Sequence, residues 1–323
     1  MIRPTPILVA FAALAAIGCG PAWQPAFDAN GNWYLNVGGP SATDVYAVGG
    51  TTDVGSIRHF DGSAWTEVDP GVDVPLLNWV HAFSPNDVWI AGNAGTLLHF
   101  DGQNWTKATP LTDQPLWGIW GAAPDDVWAV GGSGFSSGSA LLLHYDGTTW
   151  TPKDVPPLSR ENVFAFYKVW GTSAQDVFVV GQDGVVIHFD GTGWTDQPSG
   201  AKDDLISLWG TGPHHVVAVG GRGNGIVAEW NGSEWKTTSL APLPGLNGVW
   251  MDSDDAAWVA GTQGTLGALD LSSKTLDADE VEDSTLDFHS IFGSGDRLWS
   301  VGGNLAVGAS TGKFRGIALE RTR

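Results

Sequence analysis

One unit recurs seven times along this chain, and no other feature constrains its fold as tightly. The segments Asp44-Val-Tyr-Ala-Val-Gly49, Asp87-Val-Trp-Ile-Ala-Gly92, Asp126-Val-Trp-Ala-Val-Gly131, Asp176-Val-Phe-Val-Val-Gly181, His215-Val-Val-Ala-Val-Gly220, Ala256-Ala-Trp-Val-Ala-Gly261 and Arg297-Leu-Trp-Ser-Val-Gly302 are versions of one strand. Their glycines lie 43, 39, 50, 39, 41 and 41 residues apart. A period of about 42 residues matches a sheet of four short strands repeated around an axis. The strand is apolar almost throughout instead of alternating, so both its faces must be covered by neighbouring sheets.

Each unit has four parts. An inner strand a, such as Leu116-Trp-Gly-Ile-Trp120 or Leu246-Asn-Gly-Val-Trp250, precedes the strand above, which is strand b. A strand c such as Thr96-Leu-Leu-His-Phe100 follows, then a tight turn and a strand d that opens on Trp. That turn reads Asp61-Gly62, Asp101-Gly102, Asp146-Gly147, Asp190-Gly191 and Asn231-Gly232. Asp-Gly and Asn-Gly supply the positive φ angles of hairpin turns. The expected fold is therefore all-β: a seven-bladed β-propeller of four-stranded antiparallel blades. The expected domain layout is a leader over 1–18 and the propeller over 19–323.

The same arithmetic addresses closure. From the strand d Trp to the next strand b Gly the interval is 26 residues for Trp105–Gly131, Trp194–Gly220 and Trp235–Gly261, and Trp23–Gly49 repeats it. Residues 22–27 therefore read as a strand d standing ahead of the first strand a, closing the ring by pairing the N- and C-terminal segments. Residues 313–319 compete, since they sit where the seventh unit's own strand d is expected.

The turn Asp-Gly-x-x-Trp after an apolar strand resembles the Asp-box or BNR-type repeat. The wider unit, Trp-Gly…Asp-Val-Trp-Ala-Val-Gly…His-Phe-Asp-Gly…Trp, is similar to tectonin-type lectin repeats and to the propellers of the photosystem assembly factor family. The resemblance covers about residues 22–323 and rests on short motifs. Two departures stand out. His59, His99, His144 and His188 replace the Ser or Thr usual ahead of the Asp, and the last two units lack the Asp-Gly-Trp turn. A tectonin resemblance implies glycan binding; the assembly-factor resemblance implies a protein-docking surface. Fold alone does not choose between them.

The first residues carry a different signal. Arg3 is followed by an uninterrupted apolar run from Ile7 to Ile17, too short to span a bilayer as a helix of about 20 residues. This reads as a signal-peptide core. The ending Ala16-Ile17-Gly18-Cys19 resembles the lipobox of bacterial lipoproteins, in which the Cys carries lipid. The resemblance implies export, lipidation at Cys19 and anchoring to the bacterial outer membrane, with Gly20 rather than Asp after the Cys. The membrane is then contacted through the anchor only. A formal net charge of -20 excludes a broad basic surface for nucleic acid. One Cys excludes a disulfide framework or a Cys-based zinc site.

Chemistry-bearing residue types recur at repeat positions, which argues for structure first. The four His lie about 40 residues apart on separate blades and cannot converge on a metal. The aspartates before strand b read as turn caps, and glycoside hydrolysis needs a convergent carboxylate pair. No catalytic residue, metal or cofactor is expected. The acidic run from Asp277 to Asp283 reads as a solvated loop, with calcium a lesser possibility. Function belongs instead to the variable loops that join strands b to c and strands d to a, over 50–55, 132–140, 151–164 and 275–287. Candidate ligand contacts are Asp53, Trp117, Phe135, Arg160, Asp183 and Arg222. The expectation is a non-catalytic, envelope-anchored scaffold for a protein partner, with a glycan-binding lectin as the alternative and a glycosidase-like enzyme as the weakest reading.

Overall fold

The computed structural model describes residues 22–134, 137–281 and 285–323, so the leader and Cys19 lie outside the described residues. Seven four-stranded antiparallel sheets form a β-propeller. The innermost strands are Trp33–Ser41, Leu77–Ser84, Leu116–Ala123, Phe166–Ser173, Leu205–Gly212, Leu246–Trp250 and Asp287–Ser294. Blades 1 to 6 are continuous segments, 33–68, 77–107, 116–152, 166–196, 205–244 and 246–278. No helix among the described residues is long and apolar enough to cross a membrane.

Blade 7 is made from both ends of the chain. Its strands a, b and c are Asp287–Ser294, Arg297–Gly303 and Gly316–Thr322, and its strand d is Gln24–Pro25. Gln24 pairs with Glu320 and Pro25 with Leu319. The N-terminal segment thus closes the ring, and residues 316–319 belong to strand c, not strand d. The displacement arises because the b–c connection of blade 7 holds a short helix, Leu305–Thr311, which pushes strand c later in sequence.

The core lies between blades, not within them. One cluster joins Trp89, Ala91 and Leu97 of blade 2 to Leu116, Val127 and Leu143 of blade 3. A strand b aromatic meets the strand d Trp of the next blade edge to face: Trp89 with Trp150 at 5.4 Å and Trp128 with Trp194 at 5.0 Å. The indole N–H groups of these four Trp have no hydrogen-bond partner among the described residues.

Two glycine positions explain themselves by close approach. At the end of strand b, a Cβ on Gly92 would lie 2.7 Å from the Leu76 carbonyl oxygen, and one on Gly181 2.4 Å from that of Ala165. Only glycine lets strand b lie against the chain entering strand a. In strand a, a Cβ on Gly171 would lie 2.9 Å from the Trp120 ring of the previous blade, and one on Gly210 2.8 Å from Trp170. The recurrent Trp-Gly pair is therefore one contact split between neighbouring blades.

The repeated Asp and His prove to be partners. His59, His99, His144 and His188 meet Asp44, Asp87, Asp126 and Asp176 through Nε2 at 3.1, 2.9, 2.6 and 2.7 Å. Each ring also lies against the strand b aromatic, as His99 does on Trp89 at 4.2 Å. The aspartates thus fasten strand b to strand c instead of capping the turn before them. Turn capping falls to the Asp of the Asp-Gly turn: Asp101 Oδ1 accepts the backbone N–H of Gln103 and Asn104 at 2.8 and 2.7 Å. Asp61 and Asp190, which also accept from the Ser63 and Thr192 hydroxyls, are held down to about 2.

Candidate functional site

Each strand a starts on the face that carries the b–c turns and the d–a crossings. The second residue of strand a in blades 3 and 4 is aromatic: Trp117 and Tyr167. Their rings meet edge to face at 6.4 Å. Trp117 is half-buried and donates its indole N–H to the Gly132 carbonyl at 3.0 Å.

Around Tyr167 the loops of blades 4 and 5 converge. The Arg222 guanidinium donates to Asp204 Oδ2 at 2.7 Å and to the Tyr167 hydroxyl at 3.0 Å. Its carbon stands 5.3 Å from the Tyr167 ring centre. The Arg222 backbone N–H donates to Asp203 Oδ2 at 2.9 Å. Asp204 also accepts the Asp183 backbone N–H at 2.9 Å. Arg160 donates to the Ala201 carbonyl at 2.6 Å and stands 3.7 Å from Asp183. Burial first, then the Asp204 charge, raises the Tyr167 phenol above 10, so it is protonated at neutral pH and can donate.

Four of the six sequence candidates, Trp117, Arg160, Asp183 and Arg222, thus fall in one patch on blades 3 to 5. Tyr167 and Asp204, at the centre of the patch, were not singled out by sequence reasoning. The available signal was positional, since Tyr167 occupies the same place in its blade as Trp117. Asp53 stands apart in the exposed b–c turn of blade 1, bonded only to Thr51 and Thr52. Phe135 lies outside the described residues. Asp183 has a positive φ of 52°, but Ala94 at 51° and Gln263 at 55° occupy the equivalent turns of blades 2 and 6. That conformation belongs to the repeat and does not mark a site.

The patch sets exposed charges beside half-buried aromatic rings. The Arg222 and Asp183 side chains are 57% and 51% exposed, so each offers one charge to a ligand while its backbone is held. Half-buried aromatics beside them offer apolar area. No group of three or more His, Cys, Asp or Glu that could hold a metal occurs among the described residues. The acidic run is not wholly a solvated loop: Asp277 and Ala278 end strand d of blade 6, and Asp279 accepts from Trp23 Nε1 at 2.9 Å and Arg321 at 2.6 Å.

A second kind of concavity lies between blades. Two grooves at equivalent repeat positions, of about 430 and 570 Å³, separate blades 2 and 3 and blades 3 and 4. The first is walled by His99, Lys107 and Trp150, the second by His144, Lys153 and Trp194.

No protein-family model matches the chain, and no curated protein matches it. Solved structures do. YCF48 bound to D1 peptide is 16% identical with a TM-score of 0.65, covering 94% of this chain and 99% of that one. YCF48 from Cyanidioschyzon merolae is 13% identical with a TM-score of 0.68 over the same shares. The extracellular domain of a hybrid two-component system from B. thetaiotaomicron is 14% identical with a TM-score of 0.63, covering 90% of this chain and 40% of that one. At these identities the likeness establishes the propeller fold.

Proposed function

We propose that this propeller is a non-catalytic scaffold that holds a segment of a partner protein on the loop face of blades 3 to 5. The observation that carries this reading is the one-sided cluster of Trp117, Tyr167, Arg222, Asp204, Asp183 and Arg160 on an otherwise repetitive frame. A guanidinium and a carboxylate, both half-exposed beside aromatic rings, suit a peptide with charged and apolar side chains. The similarity to YCF48, one structure of which holds a D1 peptide, supports a protein partner. The absence of catalysis is supported by the placement of the His–Asp pairs, each confined to its own blade.

The reading includes export and a lipid anchor at Cys19 on the outer membrane, resting on the Gly18-Cys19 ending of the leader. Metabolic labelling with a palmitate analogue tests it, and loss of label in Cys19→Ala is the expected result. Docking is tested by placing a photoreactive side chain at Glu161 or at Asp53 in cells. One discrete protein should crosslink from position 161 and not from 53, and Arg222→Ala or Tyr167→Ala should abolish it. Equal crosslinking from both positions, or indifference to both substitutions, removes the proposal.

The two equivalent grooves favour a second reading, a lectin with repeat-related glycan sites. A glycan array separates the readings. Competable binding to one sugar class, lost on Trp150→Ala and Trp194→Ala but kept in Arg222→Ala, selects the lectin.

A further inference from the structure

The tunnel along the propeller axis contains a feature the loop face does not explain. Near its start, strand a of six of the seven blades contributes one residue to a cavity at the axis. These residues are Asn36, Trp79, Lys168, Ser207, Gly248 and Ser290, while blade 3 has Gly118 at the matching register. The cavity has a volume of about 130 Å³. Among all the residues lining it, Lys168 is the one with a formal charge.

Lys168 is only 3% exposed. Gly118 presents no side chain between blades 2 and 4, and the Lys168 amine reaches across to stand 2.7 Å from the Trp79 ring centre. No carboxylate or hydrogen-bond acceptor reaches it from any described residue, and burial alone holds it well below its ordinary 10.5. An amine buried without an oxygen partner costs stability, and the Trp79 ring face offsets only part of that cost. The other polar lining groups are unequal. Asn36 is fully engaged, donating to Ser290 Oγ at 2.9 Å and accepting from Val80 N–H at 3.0 Å. Ser207, in the blade next to Lys168, is 2% exposed, and no described residue engages its hydroxyl. The remaining walls are apolar: Val37, Val80, Ile119, Val249 and Ile291.

We propose that this cavity is a binding site for a small carboxylate, with Lys168 and Ser207 taking the carboxyl group and the apolar walls taking a short alkyl chain. Charge sets the sign, since an anion supplies the counter-charge that the fold withholds from Lys168. Volume sets the size. At about 30 Å³ of liquid per water, the cavity holds roughly four waters, enough for a carboxylate of two to four carbons and far more than a halide. Amphipathic lining favours a carboxylate with a carbon tail over a fully hydrated inorganic oxyanion. All lining residues come from strands a, and the half-buried Gly38, Gly39, Ala82 and Trp209 lie toward the a–b turns. Entry is therefore from the face opposite the peptide-binding patch, and the two sites are separate. Entry of the anion restores the proton on Lys168. The other titratable lining group is His81, which burial and then Lys168 push down to about 4, so it is neutral at pH 7.

The test uses the mature chain with Cys19→Ser, first exchanged into a carboxylate-free buffer. Titration calorimetry with acetate, butyrate and chloride should show one site, with butyrate or acetate at least tenfold tighter than chloride. Lys168→Met, which keeps the bulk and removes the amine, should raise the unperturbed melting temperature and weaken acetate binding by roughly tenfold or more, the range of a charge-assisted hydrogen bond. Ser207→Ala keeps the amine and should weaken binding by less, so the proposal can still be judged if Lys168→Met fails to fold. Chloride binding as tightly as acetate, or acetate binding unchanged in either variant, overturns it. So does the absence of any acetate heat or thermal shift in the parent protein.

Discussion

Blades 3 and 7 perform the same task with opposite chemistry. Blade 3 is one continuous segment, and Asp126 at the start of its strand b meets His144 in strand c at 2.6 Å. Blade 7 is assembled from two chain ends, and Arg297 and Glu320 occupy the corresponding places, 2.6 Å apart. The register is conserved, since Trp128 pairs with His144 and Trp299 with Glu320. Glu320 also accepts the Trp299 indole N–H at 3.2 Å. What the frame requires is a complementary pair over an aromatic ring, and either order of charge satisfies it. Blade 5 takes a third course: His215 turns to Asp254 of blade 6, and Glu229 pairs with Lys274 there. The closing blade adds a device that blade 3 lacks, with Trp23 and Phe27 reaching to either side. Trp23 bonds Asp279 while Arg321 stands 5.6 Å over its ring, and Phe27 packs on Trp65 at 4.9 Å.

The sharpest way to break the comparison is to remove what only blade 7 has. A chain starting at residue 28 loses strand d of that blade together with Trp23 and Phe27, and it should suffer the largest destabilisation. Thermal unfolding should show either a fall exceeding that of any single substitution below or loss of the single cooperative transition. Trp299→Ala comes next. The side chain is 1% exposed, and deletion of a buried Trp costs about 3–5 kcal/mol by denaturant titration. Gly171→Ala tests the continuous blades in the same way. Its new methyl meets Trp120, and a loss of about 1–3 kcal/mol is expected from overpacking.

A pH profile then compares a continuous blade with the closing one, because each holds one histidine of the same kind. His81 in blade 2 and His289 in blade 7 both have Nε2 buried without a partner, and burial pushes both down to about 4. Between the folded value near 4 and the ordinary 6.5, the unfolded chain binds the extra proton, so stability rises with pH across that window and falls on acidification. Each is worth at most about 3 kcal/mol. His81→Phe and His289→Phe should each flatten the profile between pH 4 and 6.5 by a similar amount, measured by urea unfolding at a series of pH values. The smallest effect sharpens the charge inversion. Arg297→Asp and Glu320→His should each cost about 1–2 kcal/mol, and together they should recover most of it by recreating the blade 3 pair. If the double variant is no better than the sum of the singles, surrounding residues decide the order of charge.

Much of the frame was legible because it is local. The hairpin turns, the strand that ends on glycine and the 26-residue interval from Trp23 to Gly49 are all short-range patterns; they imply seven blades and offer the N-terminal segment for closure, with residues 313–319 as its competitor. Repeat identity does not reveal the pairing of Arg297 with Glu320, because both residues are inverted in charge relative to their counterparts. Nor does it place strand c of blade 7, which the helix Leu305–Thr311 delays. The aspartates ahead of strand b were misread as turn caps because their partner histidines lie 12 to 18 residues away.

The amino-acid order alone thus determined the number of blades and the strand sequence within each, since both depend on turns and strand periodicities closed within a few tens of residues, and it named the N-terminal segment as one of two candidates for closure. Tertiary structure alone decided which side chains meet. Arg222, Asp204 and Tyr167 come from different loops and blades, and Lys168 reaches Trp79 across an intervening blade. Such meetings follow from the radial packing of blades about one axis, which brings together residues from 18 to 89 positions apart.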